Sequence, residues 1–173
     1  MIRTKIFTKT EIIERKDYIE AKRISEIIVN YMNQKDIQNS LKKTHKLHAK
    51  SGEIQAIILD KVKEIGFTTE KTGLFNNYPV KQLRPDYYLK INQNSGIIME
   101  VERGKTIANN MDLLDLWKCH ICEEANFLFL IIPNVRQTAK SENKIFETVE
   151  RRMQTFFESK NYTNVDAIFL IGY

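Results

Sequence analysis

The chain has 173 residues, of which 42% are hydrophobic and 28% charged, with only 6 Gly and 3 Pro. This length and composition predict one compact domain and exclude disordered, collagen-like and low-complexity proteins. The longest apolar run, Phe127 to Ile132, is too short to cross a membrane, and the first residues lack the apolar stretch of a secretory leader. We therefore expect a cytoplasmic protein with no membrane partner.

The net charge of +5 is distributed unevenly along the chain. Residues 1–50 carry a charge of +6, whereas residues 51–173 carry −1. A basic arm joined to a nearly neutral body favours a polyanionic partner, most often a nucleic acid, although a solvated lysine-rich helix would explain the same charge. We accordingly divide the chain into an N-terminal basic helical extension, residues 1–50, and a core, residues 51–173.

The hydrophobic pattern predicts helices in the first part of the chain and alternating strands and helices in the second. Helices are predicted over residues 10–33, 36–50, 52–65, 105–125 and 141–159, with Ser51 as an N-cap and Gly66 as a stop. Strands are predicted over residues 67–70, 85–91, 97–102, 126–132 and 167–173. A hairpin followed by a strand–helix–strand crossover predicts an α/β fold: a mixed central β-sheet flanked by helices, with an N-terminal helical extension.

Three acidic residues fall on the predicted hairpin. Glu100 and Glu102 are two residues apart, so they share one face of a strand whose preceding residues are apolar. If the turn centres on residue 94, Asp86 lies opposite Glu102, and a register shifted by two residues places it opposite Glu100. Either register gathers the three carboxylates on one face, whereas an odd register would separate them. Three clustered carboxylates suit Mg²⁺, which prefers oxygen ligands.

These residues resemble a known nuclease family. Pro85-Asp86, followed after a short hairpin by Glu100-Val101-Glu102, is similar to the motif of the PD-(D/E)xK, or restriction-endonuclease-like, superfamily, and the resemblance covers residues 51–133. It implies a Mg²⁺-dependent endodeoxyribonuclease that hydrolyses the phosphodiester bonds of DNA and accepts Mn²⁺ in place of Mg²⁺. One site for each chain implies a homodimer, or sequential nicking, for cutting both strands.

The resemblance also implies roles for individual residues. Asp86, Glu100 and the main-chain carbonyl of Val101 would be metal ligands, and Glu53 on the preceding helix would be a supporting acid. The usual lysine position of the family is occupied by Glu102, a Glu-x-Glu variant that some restriction endonucleases share. This glutamate could orient or deprotonate the attacking water, or bind a second metal ion.

Two lysines are candidates for the missing motif lysine. Lys105 lies just past the strand, and Lys118 falls in the middle of the apolar stripe of the next predicted helix. On an uninterrupted helix Lys118 would lie about 20 Å beyond Lys105 along the axis. Its charged end would then reach solvent or pair with Asp115, unless the helix brings it close to the three acids of the hairpin.

The basic arm supplies candidate contacts to DNA phosphates. Its lysines Lys42, Lys43, Lys46 and Lys50, together with Lys105, are expected to contribute binding that falls steeply with salt. Two other functions remain open at this stage. One is a catalytically inactive nuclease-fold module that binds nucleic acid or protein partners. The other is a zinc-stabilised DNA-binding protein that uses Cys119, Cys122 and the two histidines of the arm.

Overall fold

The computed structural model describes residues 1–46, 50–69, 73–80, 83–103, 106–137 and 142–173. Its strands are β1 (Arg3–Thr8), β2 (Thr68–Thr69), β3 (Tyr87–Asn92), β4 (Ser95–Val101), β5 (Phe127–Ile132), β6 (Val135–Gln137), β7 (Glu142–Lys144) and β8 (Ala167–Gly172). Its α-helices are α1 (Lys16–Met32), α2 (Lys35–Thr44), α3 (Ser51–Ile65), α4 (Met111–Ile121) and α5 (Ile145–Thr155), and a short 3₁₀ helix precedes α1. None of these helices is long and apolar enough to cross a membrane.

Six strands form the central sheet in the order β1-β8-β5-β4-β3-β2. The strands β4, β5 and β8 run parallel to one another, and the three outer strands pair antiparallel to their neighbours. Every residue of the three parallel strands is buried, because helices cover both faces of the sheet there. The prediction of a mixed central sheet flanked by helices is confirmed.

The two faces of the sheet are covered by different helices. The α1–α3 face packs Ile54, Ile58 and Val62 of α3, with residues of α1 and α2, against alternate strand residues such as Met99 and Val101. The α4–α5 face packs residues of α4 and α5 against the other set, which includes Ile98. Because side chains alternate along a strand, Glu100 shares the α4–α5 face with Ile98.

Two strand regions were not predicted from the sequence. The strand β1 lies at the edge of the central sheet, and its first four residues are exposed, so it shows none of the apolar alternation that marks a half-buried strand. The small sheet β6-β7 follows Pro133, where we predicted a loop and then a helix from residue 141. The observed helix α5 is correspondingly shorter than that prediction.

The helix α4 begins at Met111, not at residue 105 as predicted. The preceding segment is held in turns, in which the carbonyl oxygen of Thr106 accepts the Met111 N–H at 2.9 Å. Asn110 adopts a left-handed conformation with φ of 52°, which asparagine tolerates better than most residues. The helix ends at Ile121 because the backbone of Cys122 is extended. The late start determines where the side chains of α4 meet the sheet.

The two ends of the described chain meet at the carboxyl end of the parallel strands. In the β1–β8 ladder, Arg3 lies opposite Gly172. The main-chain N–H of Asn134 donates to the carbonyl oxygen of Tyr173 at 2.7 Å, and its side-chain amide donates to that of Met1 at 3.3 Å. Asn134, which follows β5 closely, therefore contacts both ends of the described chain.

Candidate active site

The hairpin register brings Asp86 next to Glu100. In the β3–β4 ladder Tyr87 lies opposite Met99, which is the second of the two even registers considered above. The N–H of Asp86 donates to Glu100 Oε2 at 3.1 Å, and the N–H of Val101 donates to Asp86 Oδ2 at 2.8 Å. Each carboxylate is thus held by the backbone of the opposite strand, at the end of the hairpin.

A lysine from α4 bridges two buried carboxylates. Lys118 Nζ lies 2.7 Å from Glu100 Oε1 and 2.9 Å from Asp115 Oδ1, and these three side chains are 8%, 3% and 0% exposed. Only the contact with Glu100 has hydrogen-bond geometry, and both carboxylate oxygens of Asp115 are buried without a hydrogen-bond partner. One buried positive charge therefore faces two buried carboxylates. We call Asp86, Glu100, Asp115 and Lys118 the buried charge cluster.

Lys118 reaches the acids because α4 starts late. The lysine is seven residues into the observed helix, which corresponds to about 10 Å of helical rise, half of the distance expected from a start at residue 105. The same turn of α4 buries Cys119 against the sheet, so the helix presents Lys118 to the strand that carries Glu100. The structure thus places Lys118 beside the predicted metal ligands.

Burial and mutual repulsion shift the pKa values of these acids upwards. Burial raises the pKa of Glu100 well above its usual range, and the Asp115 charge raises it further while Lys118 opposes the shift. Burial likewise raises the pKa of Asp115 to about 6 against the opposing charge of Lys118. For Lys118 burial lowers the pKa, but the two carboxylates more than offset this, and the net shift is upwards. The lysine therefore stays charged.

Glu102 lies just past β4 and is held through its backbone. Its N–H donates to the carbonyl oxygen of Ile131 at 2.8 Å, and its own carbonyl oxygen accepts the Tyr173 hydroxyl at 3.0 Å. Burial raises the pKa of the Glu102 carboxyl to about 7, with the charges of Asp115 and Asp86 adding to the shift. The carboxyl thus belongs to the same electrostatic group as the buried charge cluster.

Comparison with known proteins identifies the fold. No protein-family model matches the chain, and no curated protein matches it by sequence. Among solved structures, restriction endonuclease BglII in complex with a DNA 16-mer matches with a TM-score of 0.52 at 12% sequence identity, over 99% of this chain and 77% of the other. The fold is similar to that of a restriction endonuclease. At this identity the likeness establishes the architecture alone.

The donor atoms of a restriction-endonuclease-like site are partly in place for Mg²⁺. Carboxylate and carbonyl oxygens are the ligands that this ion prefers, and Asp115 keeps two buried oxygens without hydrogen bonds. However, Glu100 already binds Lys118 through one oxygen and the Asp86 N–H through the other. Within the described ranges no three His, Cys, Asp or Glu side chains are arranged to hold one ion. The oxygen atoms of these residues suit Mg²⁺ in their chemistry, and in this arrangement Lys118 is the cation that contacts Glu100 and Asp115.

The buried face of α4 was predicted only in part. Lys118 was expected on the apolar face, with Asp115 as one possible partner, whereas Leu114, which was expected on the same face, is 37% exposed. The observed buried residues of α4 are Asp112, Asp115, Leu116, Lys118 and Cys119. The available signal was the spacing of Asp112, Asp115 and Lys118, each three residues from the next. This spacing is also typical of a solvated helix face.

Two further polar residues support the site without any signal in the sequence. The fully buried Asp112 accepts a hydrogen bond from Arg152 Nη1 at 3.0 Å, which ties the first turn of α4 to α5. Burial raises the pKa of Asp112, and Arg152 partly opposes this. The hydroxyl of Tyr173 anchors the backbone of Glu102, and nothing in the sequence around Tyr173 indicates that contact.

The remaining predicted site residues lie elsewhere. Glu53 is exposed in the first turn of α3, and no hydrogen bond or ion pair among the described residues joins it to Asp86, Glu100 or Glu102. The lysines Lys42, Lys43, Lys46 and Lys50 are all exposed, at the end of α2 and just before α3. Lys105 lies outside the described residues. Cys119 and Cys122 are buried free thiols within the α4–α5 face.

Proposed function

We propose that the chain is a metal-dependent DNA endonuclease, a Glu-x-Glu variant of the PD-(D/E)xK superfamily. The observation that carries the proposal is the buried Lys118, which bridges Glu100 and Asp115 beside Asp86 in a restriction-endonuclease-like fold. Buried ionisable groups with shifted pKa values are typical of functional sites. The structural neighbour is bound to DNA, which supports DNA as the substrate.

Each residue of the site would have a defined role. Asp86, Glu100 and the Val101 carbonyl would hold Mg²⁺, which when bound supplies positive charge at the scissile phosphate and lowers the pKa of a bound water. Glu102 would orient the attacking water and accept its proton on a carboxylate oxygen. Lys118 would replace the lysine that the motif lacks at Glu102, by keeping a positive charge beside Glu100 as negative charge develops on the phosphate.

The basic arm would bind the DNA. Lys42, Lys43, Lys46 and Lys50 would contact phosphates, and their exposure supports this role. Lys105 would be a further contact to DNA, and Glu53 would be a supporting acid. Both roles stay predictions made from the sequence. Two chains would associate as a homodimer to cut both strands.

Nicking of supercoiled plasmid tests the proposal. The wild type is compared with Glu100→Gln in Mg²⁺, in Mn²⁺ and in EDTA, with Glu64→Gln as the matched control, because Glu64 is an exposed glutamate on α3 far from this face of the sheet. We expect nicking by the wild type and by Glu64→Gln in either metal, none in EDTA, and a loss of at least about 100-fold in Glu100→Gln. Equal nicking by all three proteins would reject this site.

An inactive nuclease-fold module that binds nucleic acid or protein is the second candidate. It is favoured by one observation: both oxygens of Glu100 are engaged by Lys118 and Asp86, so that in the described ranges no carboxylate group is arranged for a metal. Calorimetric titration with Mg²⁺ separates the two functions. Binding that is lost in Glu100→Gln supports the nuclease, whereas DNA binding without any Mg²⁺ binding supports the module.

A further inference from the structure

A pocket of about 550 Å³ lies between the end of α2 and the carboxyl end of the parallel strands. We call it the α2 pocket. Its wall includes Leu41, Lys42, His45 and Lys46 on the helical side, and Val135 and Tyr173 on the sheet side. None of these residues belongs to the buried charge cluster, and the catalytic roles proposed above do not use the pocket.

Two aromatic rings of the wall are held in fixed positions. His45 Nε2 lies 2.8 Å from the carbonyl oxygen of Val135, so this nitrogen carries the proton and donates. The His45 and Tyr173 rings meet edge to face at 89°, with centroids 5.5 Å apart. The Tyr173 hydroxyl is fixed in turn by the Glu102 carbonyl. Rigid aromatic walls of this kind suit the stacking of a nucleobase, because little motion has to be frozen on binding.

The charge of the wall suits a phosphate. Lys42 and Lys46 contribute two positive charges, whereas Glu142 contributes the only acidic side chain that lines the pocket among the described residues. Apolar side chains, Ile2, Leu41 and Val135, complete the wall. A ligand with one anionic group and one flat apolar ring matches this combination better than a bare anion does.

The size of the pocket selects one nucleotide over a duplex. The pocket has room for one base with its phosphate, whereas the bases of a duplex are paired and stacked. The volume falls well within the range of about 300 to 1,000 Å³ that is usual for small-molecule sites. The pocket therefore accommodates a base and its phosphate only when that nucleotide is out of the helical stack.

We propose that the α2 pocket binds a single unpaired nucleotide of a DNA strand. The proposal is carried by a pocket with basic and aromatic walls, one of whose wall residues, Tyr173, also donates a hydrogen bond to the backbone of Glu102. An unpaired nucleotide seated there would be linked to Glu102 through Tyr173, whose hydroxyl donates to the Glu102 carbonyl oxygen, so that the enzyme would prefer DNA with a displaced, overhanging or bulged nucleotide. This inference rests on the proposed function, because it supplies the structural preference of that nuclease.

Equilibrium DNA binding in EDTA tests the pocket without involving catalysis. Fluorescence anisotropy compares a labelled blunt duplex with the same duplex carrying one bulged nucleotide. We expect the wild type to bind the bulged duplex at least about fivefold more tightly, the lower limit for stacking one base on an aromatic side chain. Deoxyadenosine 5′-monophosphate should compete for this binding at a concentration at which inorganic phosphate and deoxyadenosine do not.

Two charge-matched double variants provide the control. Lys42→Ala with Lys46→Ala removes two charges from the pocket wall, and Lys43→Ala with Lys50→Ala removes two charges from the same basic arm outside it. The first should abolish the preference for the bulged duplex. The second should weaken binding of both duplexes alike and keep the preference. Thermal melting verifies that both variants are folded.

The outcomes separate this inference from the proposed function. Equal affinity of the wild type for the two duplexes, or equal loss of preference in the two double variants, overturns the pocket assignment even if plasmid is nicked. Competition by inorganic phosphate as strong as that by the nucleotide also overturns it. A preference that only the pocket variant loses supports the assignment, even if no plasmid is nicked.

Discussion

The helices α3 and α4 cover opposite faces of the same sheet, and each carries a lysine paired with an acid three residues away. On α3, Lys61 Nζ lies 2.7 Å from Glu64 Oε1, and the glutamate side chain is 69% exposed. On α4, Lys118 Nζ lies 2.9 Å from Asp115 Oδ1, and the aspartate side chain is fully buried. The spacing and the distance are nearly the same, but the surroundings differ completely.

This difference indicates what each pair is for. The exposed pair on α3 contributes little because water screens it, and the buried residues of that helix are apolar. The pair on α4 occupies a position where an apolar side chain would pack at least as well, since the desolvation of buried charges offsets most of their attraction. Stability alone therefore does not account for the burial of Asp115 and Lys118, which agrees with the role proposed for Lys118.

Removing the buried lysine should have the largest effect. Lys118→Met leaves Glu100 and Asp115 buried without a counter-ion, so we expect the free energy of unfolding at pH 8 to fall by about 3 to 5 kcal/mol. Urea denaturation measures the change. Plasmid nicking by the remaining folded protein should be lost as well. A fall below about 1 kcal/mol would mean that the acids are solvated or protonated.

The coupling between Glu100 and Lys118 should be the next largest effect. A double-mutant cycle with Glu100→Gln and Lys118→Met should give an interaction energy of about 2 kcal/mol, because the two groups form a buried ion pair and Lys118 keeps only Asp115 as a partner when Glu100 is replaced. Denaturation of the four proteins under one condition measures it. Strict additivity would contradict the 2.7 Å contact.

The pH dependence of metal-free protein should show a smaller effect. The pKa of Glu102 is about 7 in the folded protein against 4.5 for an ordinary glutamate. A raised pKa gives stability that is complete below the unfolded value and is lost as pH rises through the folded value. We expect the free energy of unfolding in EDTA to fall by about 1 to 2 kcal/mol between pH 5 and pH 8, because the stabilisation from Glu102 is lost. The slope of this free energy against pH should be smaller in Glu102→Gln. An identical slope in that variant would assign the effect to other groups.

The exposed pair should show the smallest effect and serves as the reference for the cycle above. Lys61→Met with Glu64→Gln should give an interaction energy of at most about 0.5 kcal/mol, and high salt should remove it. The same denaturation assay applies. A coupling as large as that of Glu100 and Lys118 would show that burial does not distinguish the two helices.

The sequence predicted the parts of the fold that burial dictates. The apolar runs of β4 and β5 located the central strands within two residues of their observed limits, because only a strand covered on both faces is so uniformly apolar. The strand β1 escaped prediction because it is held by pairing with β8 and not by its own pattern. Pairing with a strand more than 150 residues away leaves no local signal.

The candidate site was predictable to a similar extent. An even register predicted that Asp86, Glu100 and Glu102 share one face, but the sequence left open whether Asp86 lies opposite Glu102 or Glu100. The structure has Asp86 beside Glu100. The position of Lys118 depended on where α4 begins, and the start was set by the turns ending at Asn110, which helical periodicity does not reveal. The pairing of Asp115 with Lys118 was one of the alternatives that the sequence left open, but the full burial of Asp115 was not expected, because an acid on a helix is ordinarily solvated.

The meeting of the chain ends has a practical consequence for every experiment described above. Asn134 holds both Met1 and Tyr173, and all three line the α2 pocket. An affinity tag, a fusion partner or a neighbouring domain joined to either end would therefore start at the mouth of that pocket. A polyhistidine tag placed there would compete for phosphate or metal, and should be removed before assay. Conversely, an environment-sensitive dye attached at residue 1, which is exposed and lines the pocket, would report when the pocket fills.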